Sequence, residues 1–134
     1  MCHKRVNKNV AKNPVARAVA RKALEESILD HKIKLYMSNK GDACAAECIG
    51  IGTALSVLAF AAEMDKNIGR DHALVRVMRG AISACYQMSQ TDSYDPMNTV
   101  AIDKGLDAAF ELNKKLKPEL ITRAWNTLIT AAGA

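Results

Sequence analysis

Aromatic residues and turn-forming residues are both scarce in this sequence. Phe, Tyr and Trp make up 4% of the 134 residues, and only 7 glycines and 3 prolines are present. Strands favour aromatic and β-branched residues and sandwiches need frequent turns, so this composition argues against an all-β fold. Alanine, the best helix former, occurs 22 times. The composition predicts closely packed helices in one domain, because a chain of this length has no room for a second substantial core.

Signals for export and lipidation are also missing. The first ten residues, MCHKRVNKNV, contain no apolar run of the kind found in secretory signals. Residue 2 is cysteine, whereas N-myristoylation requires glycine at that position. We therefore expect a cytoplasmic protein whose four cysteines stay reduced.

The longest stretch without a charged residue covers residues 48–62 (CIGIGTALSVLAFAA) and is 15 residues long. A helix that spans the hydrocarbon layer of a membrane needs about 20 apolar residues. Glu47 and Glu63 close the stretch at its two ends. We predict a buried central helix over residues 43–64 and no membrane contact. A membrane-active protein that uses this helix remains an alternative.

Capping residues and prolines divide the chain into about five helices. Asn13-Pro14 and Asp95-Pro96 each place a capping side chain before a proline, a pattern typical of a helix start. Pro118 marks a further start, and the polar residues 89–95 (SQTDSYD) form the longest predicted loop. The predicted fold is all-α: a basic extension over residues 1–13, and a compact single-domain bundle over residues 14–134 around helix 43–64.

Apolar residues at three- and four-residue steps predict which faces of the helices are buried. For the first helix the predicted core residues are Val15, Val19, Leu24, Ile28, Leu35 and Tyr36. For the last helix they are Leu120, Ile121, Ala124, Trp125, Leu128 and Ile129, with the tryptophan as the anchor. Gly50 and Gly52 in the central helix either permit close packing against a neighbour or break the helix, which would then start near Thr53.

Positive charge is concentrated at the amino-terminal side of the chain. Residues 1–40 hold ten Lys/Arg against three Asp/Glu, whereas residues 41–134 hold nine against eleven. Such a basic region attracts an acidic protein surface or the phosphates of a nucleic acid. The predicted partner-binding residues of this region are Lys4, Arg5, Lys8, Lys12, Arg17, Arg21 and Lys22. As an alternative, these charges only keep the protein soluble, or they pair with the acidic remainder of the same chain.

A second cationic group, Arg70, Arg76 and Arg79, lies near the start of the third helix. The sequence does not determine whether it joins the first group. Tyr94, in the polar loop, is the aromatic candidate for a partner contact, because tyrosine is enriched in interfaces.

Motifs that carry catalysis or metal binding are not recognisable. Cys44 and Cys48 share a helix face and could bind a metal together with His72, Cys85 or the Cys2-His3 pair. Small buried cysteines in a helical core are the simpler interpretation. We therefore predict a non-enzymatic binding, inhibitory or scaffolding protein without a cofactor. A small metal-binding or thiol-dependent enzyme is the alternative.

Three carboxylates, Asp103, Asp107 and Glu111, follow one another at four-residue steps on the fourth helix. This acidic ridge could be solvated, or it could dock the first helix. It could also receive the basic arm of a second copy, which would give a homodimer.

Overall fold

Proline and aspartate residues mark helix starts where the sequence predicts them. The computed structural model describes residues 14–37, 43–91 and 95–133. These residues form five α-helices and no strand. The helices are α1 (Pro14–Met37), α2 (Ala43–Met64), α3 (Ala73–Thr91), α4 (Pro96–Asn113) and α5 (Pro118–Gly133). The all-α prediction is confirmed. The predicted extension over residues 1–13 lies outside the described residues.

The start of α4 shows a complete helix cap. Asp95 has an extended backbone with φ −122°, and its Oδ1 atom accepts hydrogen bonds from the N–H groups of Met97 (2.9 Å) and Asn98 (3.4 Å). Pro96 occupies the first helical position, where no N–H is needed. The Asp95-Pro96 pair therefore fixes this helix start locally.

Replacing Asp95 with alanine is expected to lower the free energy of unfolding by about 1 kcal/mol, because two N–H groups of the first turn lose their acceptor. Urea denaturation followed by far-UV circular dichroism measures the change. Asp95→Asn is the matched control, since asparagine caps a helix about equally well. If Asp95→Ala and Asp95→Asn lowered the free energy of unfolding equally, the capping role of the Asp95 side chain would be contradicted.

Consecutive helices run in alternating directions. His31 of α1 lies beside Glu47 at the start of α2, with 3.1 Å between Nδ1 and Oε1. Arg17 near the start of α1 pairs with Glu119 at the start of α5. These contacts, the hydrogen bond between Asn113 of α4 and Arg21 of α1, and the short turn between α2 and α3 place the starts of α1, α3 and α5 at the same end of the bundle as the ends of α2 and α4.

The central position of α2 is confirmed. This helix contacts each of the other four helices. It runs without a break from Ala43, and a Cβ atom added at Gly52 would lie 3.3 Å from the Cβ atom of Cys85 on α3. Gly52 therefore permits close packing of α2 against α3 and does not break the helix. The largest fully buried side chains of the core include Ile51, Leu55, Leu58, Met78, Ile102, Leu106, Leu112 and Leu116.

By length and composition alone, one of the described helices could cross a membrane, over Ala46–Met64 of α2. The core helix of a bundle passes the same test. Here Leu55, Leu58 and Ala62 of this stretch are buried against neighbouring helices, as the prediction of a central helix requires.

Part of the predicted core of α1 and α5 is wrong. Val15 and Val19 are exposed, whereas Ile28 and Leu35 are buried. Val15 and Leu24 are nine residues apart, which corresponds to about two and a half helical turns. They therefore point to opposite sides of α1. The predicted stripe therefore combined two faces of one helix. The side chain of Tyr36 lies outside the described set.

Trp125 is not the core anchor of α5. Its side chain and that of Ile129 are about half exposed, and Ala124 is the buried residue of this helix. The reason is the position of α5, which packs against α2 and α1 but leaves one flank open.

Residues 89–91, which were predicted to belong to a loop over residues 89–95, are helical. Helix α3 continues through Thr91, because residues 89–91 contain neither glycine nor proline and nothing local ends the helix. Tyr94 lies outside the described residues, so its predicted role is not tested.

Candidate functional site

The two arginines predicted on α1 are engaged within the fold. Arg17 Nη2 lies 2.8 Å from Glu119 Oε1, and Arg21 Nη2 donates a hydrogen bond of 3.2 Å to the carbonyl oxygen of Leu116. Asn113, which is fully buried, donates from Nδ2 to the carbonyl oxygen of Arg21 at 2.9 Å. These contacts fasten α1 to the junction between α4 and α5, and the Arg17–Glu119 pair is of the kind that the alternative of pairing within the chain anticipated.

Lys22 follows Arg21 in the sequence but is exposed on the outer side of α1. Consecutive helical residues point about 100° apart, so Lys22 faces away from the junction that holds Arg21. The cations of the first predicted group that precede Pro14, which are Lys4, Arg5, Lys8 and Lys12, lie outside the described residues.

The second predicted group, Arg70, Arg76 and Arg79, also contains both a residue that is engaged within the fold and residues that are accessible. Arg79 donates two hydrogen bonds to Glu63 Oε1, one of them from Nε at 3.1 Å, and so fastens α3 to α2. Arg76 Nη2 lies 3.8 Å from Asp71 Oδ1, but both side chains are largely exposed, and such pairs contribute little. Arg70 is exposed and has no ion pair within the described ranges. Arg70 and Arg76 are therefore accessible to a partner.

The fold brings the two predicted groups to one end of the bundle. Helix α4 contacts both α1 and α3, so its carboxyl end lies between the starts of those helices. The turn that follows it carries the exposed residues Lys115 and Lys117. Lys66, in the turn after α2, is also exposed at this end. Sequence analysis missed Lys115 and Lys117 because only the fold brings them to the same end of the bundle as the arginines, and it did not single out Lys66, which precedes Arg70 by four positions.

Charge is therefore segregated along the bundle. We call residues 14–24, 62–79 and 110–123 the cationic end; they contain eleven Lys/Arg and five Asp/Glu, a formal charge of +6. The other described residues contain three Lys/Arg and seven Asp/Glu, a formal charge of −4. The net charge of the whole chain, +5, conceals this opposition.

The acidic ridge on α4 docks α1, as one of the alternatives anticipated. Lys32 of α1 donates a hydrogen bond to Asp107 and lies 3.5 Å from Asp103 Oδ1. The hydrogen bond to Asp107, together with the charge of Asp103, raises the pKa of Lys32 above its ordinary value. Glu111 pairs at 3.3 Å with Lys114, the residue that follows the end of α4. The ridge thus belongs largely to the internal packing of the bundle.

An apolar groove opens between α3 and α5, with α2 as its floor. It has a volume of about 440 Å³. Its lining comprises Cys48, Ile49, Gly52, Thr53, Ser56, Val57, Ile82, Cys85, Tyr86, Ser89, Trp125, Leu128 and Ile129. These lining residues include no acid and no base, so the groove offers van der Waals contacts and a few hydroxyl groups. Chemically it suits neutral apolar groups.

The thiols and histidines do not form a shared site in the part of the chain that the structure describes. Cys48 and Cys85 are buried in the floor and wall of the groove. His72 accepts a hydrogen bond at Nδ1 from the N–H of Leu74 at 3.1 Å, at the opposite end of α3 from Cys85. Among these residues, no three His, Cys, Asp or Glu side chains are grouped to hold a metal ion. The side chain of Cys44 lies outside the described set.

Comparison of the chain with family models, with curated proteins and with solved structures found no match.

Proposed function

We propose that this protein is a non-enzymatic binding protein whose cationic end engages the phosphate backbone of a nucleic acid. The observation that carries the proposal is the charge segregation, with +6 at one end of the bundle against −4 in the remaining described residues. A charge distribution of this kind orients an approaching polyanion as well as attracting it.

The accessible cations come from separate parts of the chain. They include Arg70 and Arg76 at the start of α3, Lys115 and Lys117 after α4, Lys66 after α2 and Lys22 of α1. Lys4, Arg5, Lys8 and Lys12 precede α1, so they are attached to the chain at this same end. The proposal therefore retains the basic amino-terminal region of the sequence and adds the accessible cations of the cationic end.

A phosphate backbone fits this arrangement better than an acidic protein surface does. The accessible cations are spread over several turns and helix starts instead of converging on one pocket. A nucleic-acid backbone presents regularly repeated charge and needs no shaped pocket, whereas a protein surface is matched by shape as well as charge. An acidic protein partner is the competing outcome of the experiment.

Charge reversal at the cationic end is expected to weaken binding to nucleic acid at least about tenfold and to reduce the salt dependence by about two phosphate contacts. The variant is Arg70→Glu with Arg76→Glu in the full chain. Fluorescence anisotropy with a labelled oligonucleotide, repeated between about 50 and 200 mM salt, gives both quantities.

The matched control is Lys34→Glu with Lys104→Glu. This control changes the net charge by the same amount, but both of its residues lie outside the cationic end. Each double variant also removes one exposed ion pair, which is Arg76–Asp71 in the test variant and Lys34–Asp30 in the control. Equal weakening by the two variants, or binding that does not respond to salt, would contradict the proposal. Capture of an acidic protein from nuclease-treated lysate, lost in the Arg70 and Arg76 variant, would replace nucleic acid with a protein partner.

A further inference from the structure

Helix α1 carries a row of apolar side chains on its outer face. Val15, Val19, Leu29 and Ile33 are 71%, 64%, 48% and 62% exposed. The inner face of the same helix buries Ile28 and Leu35 in the core. Helix α1 is therefore apolar on two opposite sides, and the outer side is not covered by the other described helices.

The outer face has the spacing of a coiled coil. Its positions follow at alternating steps of four and three residues, which is the spacing of the a and d positions of a heptad repeat. The six positions, called here the outer stripe, are Val15, Val19, Lys22, Glu26, Leu29 and Ile33. The stripe is about 27 Å long at 1.5 Å per residue. Its four apolar residues lie towards the ends, and its two charged residues, both exposed, lie at the centre.

The outer stripe is symmetric about residue 24. Each of its positions has a counterpart at the same distance on the other side of that residue. The counterparts are Val15 and Ile33, Val19 and Leu29, and Lys22 and Glu26. An antiparallel second copy of the helix would therefore place apolar residues opposite apolar residues and each lysine opposite a glutamate.

We propose that the outer stripe of α1 binds the outer stripe of a second copy, in an antiparallel arrangement with a two-fold axis near residue 24. A two-fold interface requires a surface that is complementary to itself. The outer stripe meets this requirement in both hydrophobicity and charge. In a parallel arrangement, Lys22 would face Lys22 and Glu26 would face Glu26, and both contacts are repulsive.

The interface does not require α1 to fold on association. Arg17 and Lys32 fasten the helix to α5 and α4 through Glu119, Asp103 and Asp107. The ordering of the helix is thus complete in the monomer, which favours association. One contact opposes it: Glu25 flanks the axis, next to Glu25 of the second copy. This dimer uses neither Arg70 nor Arg76, so its test is separate from the charge-reversal test of nucleic-acid binding, although Lys22 of the cationic end would lie in the dimer interface.

The test is sedimentation of the full chain between about 1 and 500 μM, with single charge reversals in the outer stripe. The natural sequence is expected to shift from monomer to dimer over this range. Lys22→Glu and Glu26→Lys alone should each weaken the dimer at least about tenfold, because two lysine–glutamate contacts become contacts between like charges. An equimolar mixture of the two variants should regain the dimer, since every central contact in the mixed pair is again between opposite charges.

A second pair of variants tests the apolar part of the stripe. Val19→Gln is expected to abolish the dimer within this range, whereas Val100→Gln, at an exposed valine of α4, should leave it unchanged. Thermal melts confirm that each variant is folded. The proposal is overturned if the natural sequence stays monomeric at the highest concentration, if the single charge reversals associate as well as the natural sequence, or if their mixture does not associate.

Discussion

Replacing Gly105 with alanine is expected to lower the free energy of unfolding by about 2–3 kcal/mol, although alanine is the better helix former. A Cβ atom at this position would lie 2.1 Å from the Cβ atom of Ala81 on α3 and 3.6 Å from Leu55 Cδ1. The Cβ atom of Ala81 is bound directly to the backbone and cannot rotate away. Helices α3 and α4 would therefore have to separate, and the tightly packed core around Leu106 would lose contacts.

Gly80→Ala is the matched control for this prediction. Gly80 lies on α3 next to Ala81, is exposed, and has no heavy atom within 4 Å of an added Cβ. Alanine there should stabilise the protein by about 0.5–1 kcal/mol through helix propensity alone. Urea denaturation of both variants measures the difference. A stabilising effect of the same size at Gly105 would show that α3 and α4 do not meet at this point.

Ile51→Ala is expected to cost about 3 kcal/mol, and Ile49→Ala less than about 1 kcal/mol. The two isoleucines are two residues apart on α2, but Ile51 is 0% exposed in the core and Ile49 is 61% exposed at the groove. The first substitution leaves a cavity among neighbouring helices, whereas the second removes apolar surface that is largely in solvent. Denaturant unfolding followed by circular dichroism gives both values.

This pair also tests the position of α2. The predicted asymmetry depends on one side of the helix facing the core and the other facing the open groove. A helix with lipid on every side would respond similarly at both positions. Equal effects of Ile49→Ala and Ile51→Ala would therefore favour the membrane alternative over the central helix of a bundle.

The helix positions were predictable because their signals are local. Asp95 fixes the start of α4 through hydrogen bonds within four residues, and Pro118 occupies the first position of α5, where a proline is tolerated. The central helix over residues 43–64 followed from the absence of charge between Glu47 and Glu63. Local sequence was less informative at residues 89–91, where polar side chains suggested a loop but nothing ended the helix.

The faces of the outer helices were less predictable. Val15 and Val19 resemble core residues by type, and only the packing of α1 against its neighbours shows that they point outwards. Trp125 is similar, since α5 leaves the flank that carries it open. Burial of these residues depends on which side of the helix a neighbour occupies, and the helix itself does not contain that information.

The candidate site was predictable only in its parts. Every cation of the cationic end can be read from the sequence, as can the excess of positive charge before residue 41. The tertiary structure decided that Arg17, Arg21 and Arg79 hold helices together, while Arg70 and Arg76 remain accessible beside Lys115 and Lys117. Composition and local caps thus determined an all-α chain with a central apolar helix. Which faces and charges come together depends on contacts between residues distant in sequence, and these arise only when the helices pack.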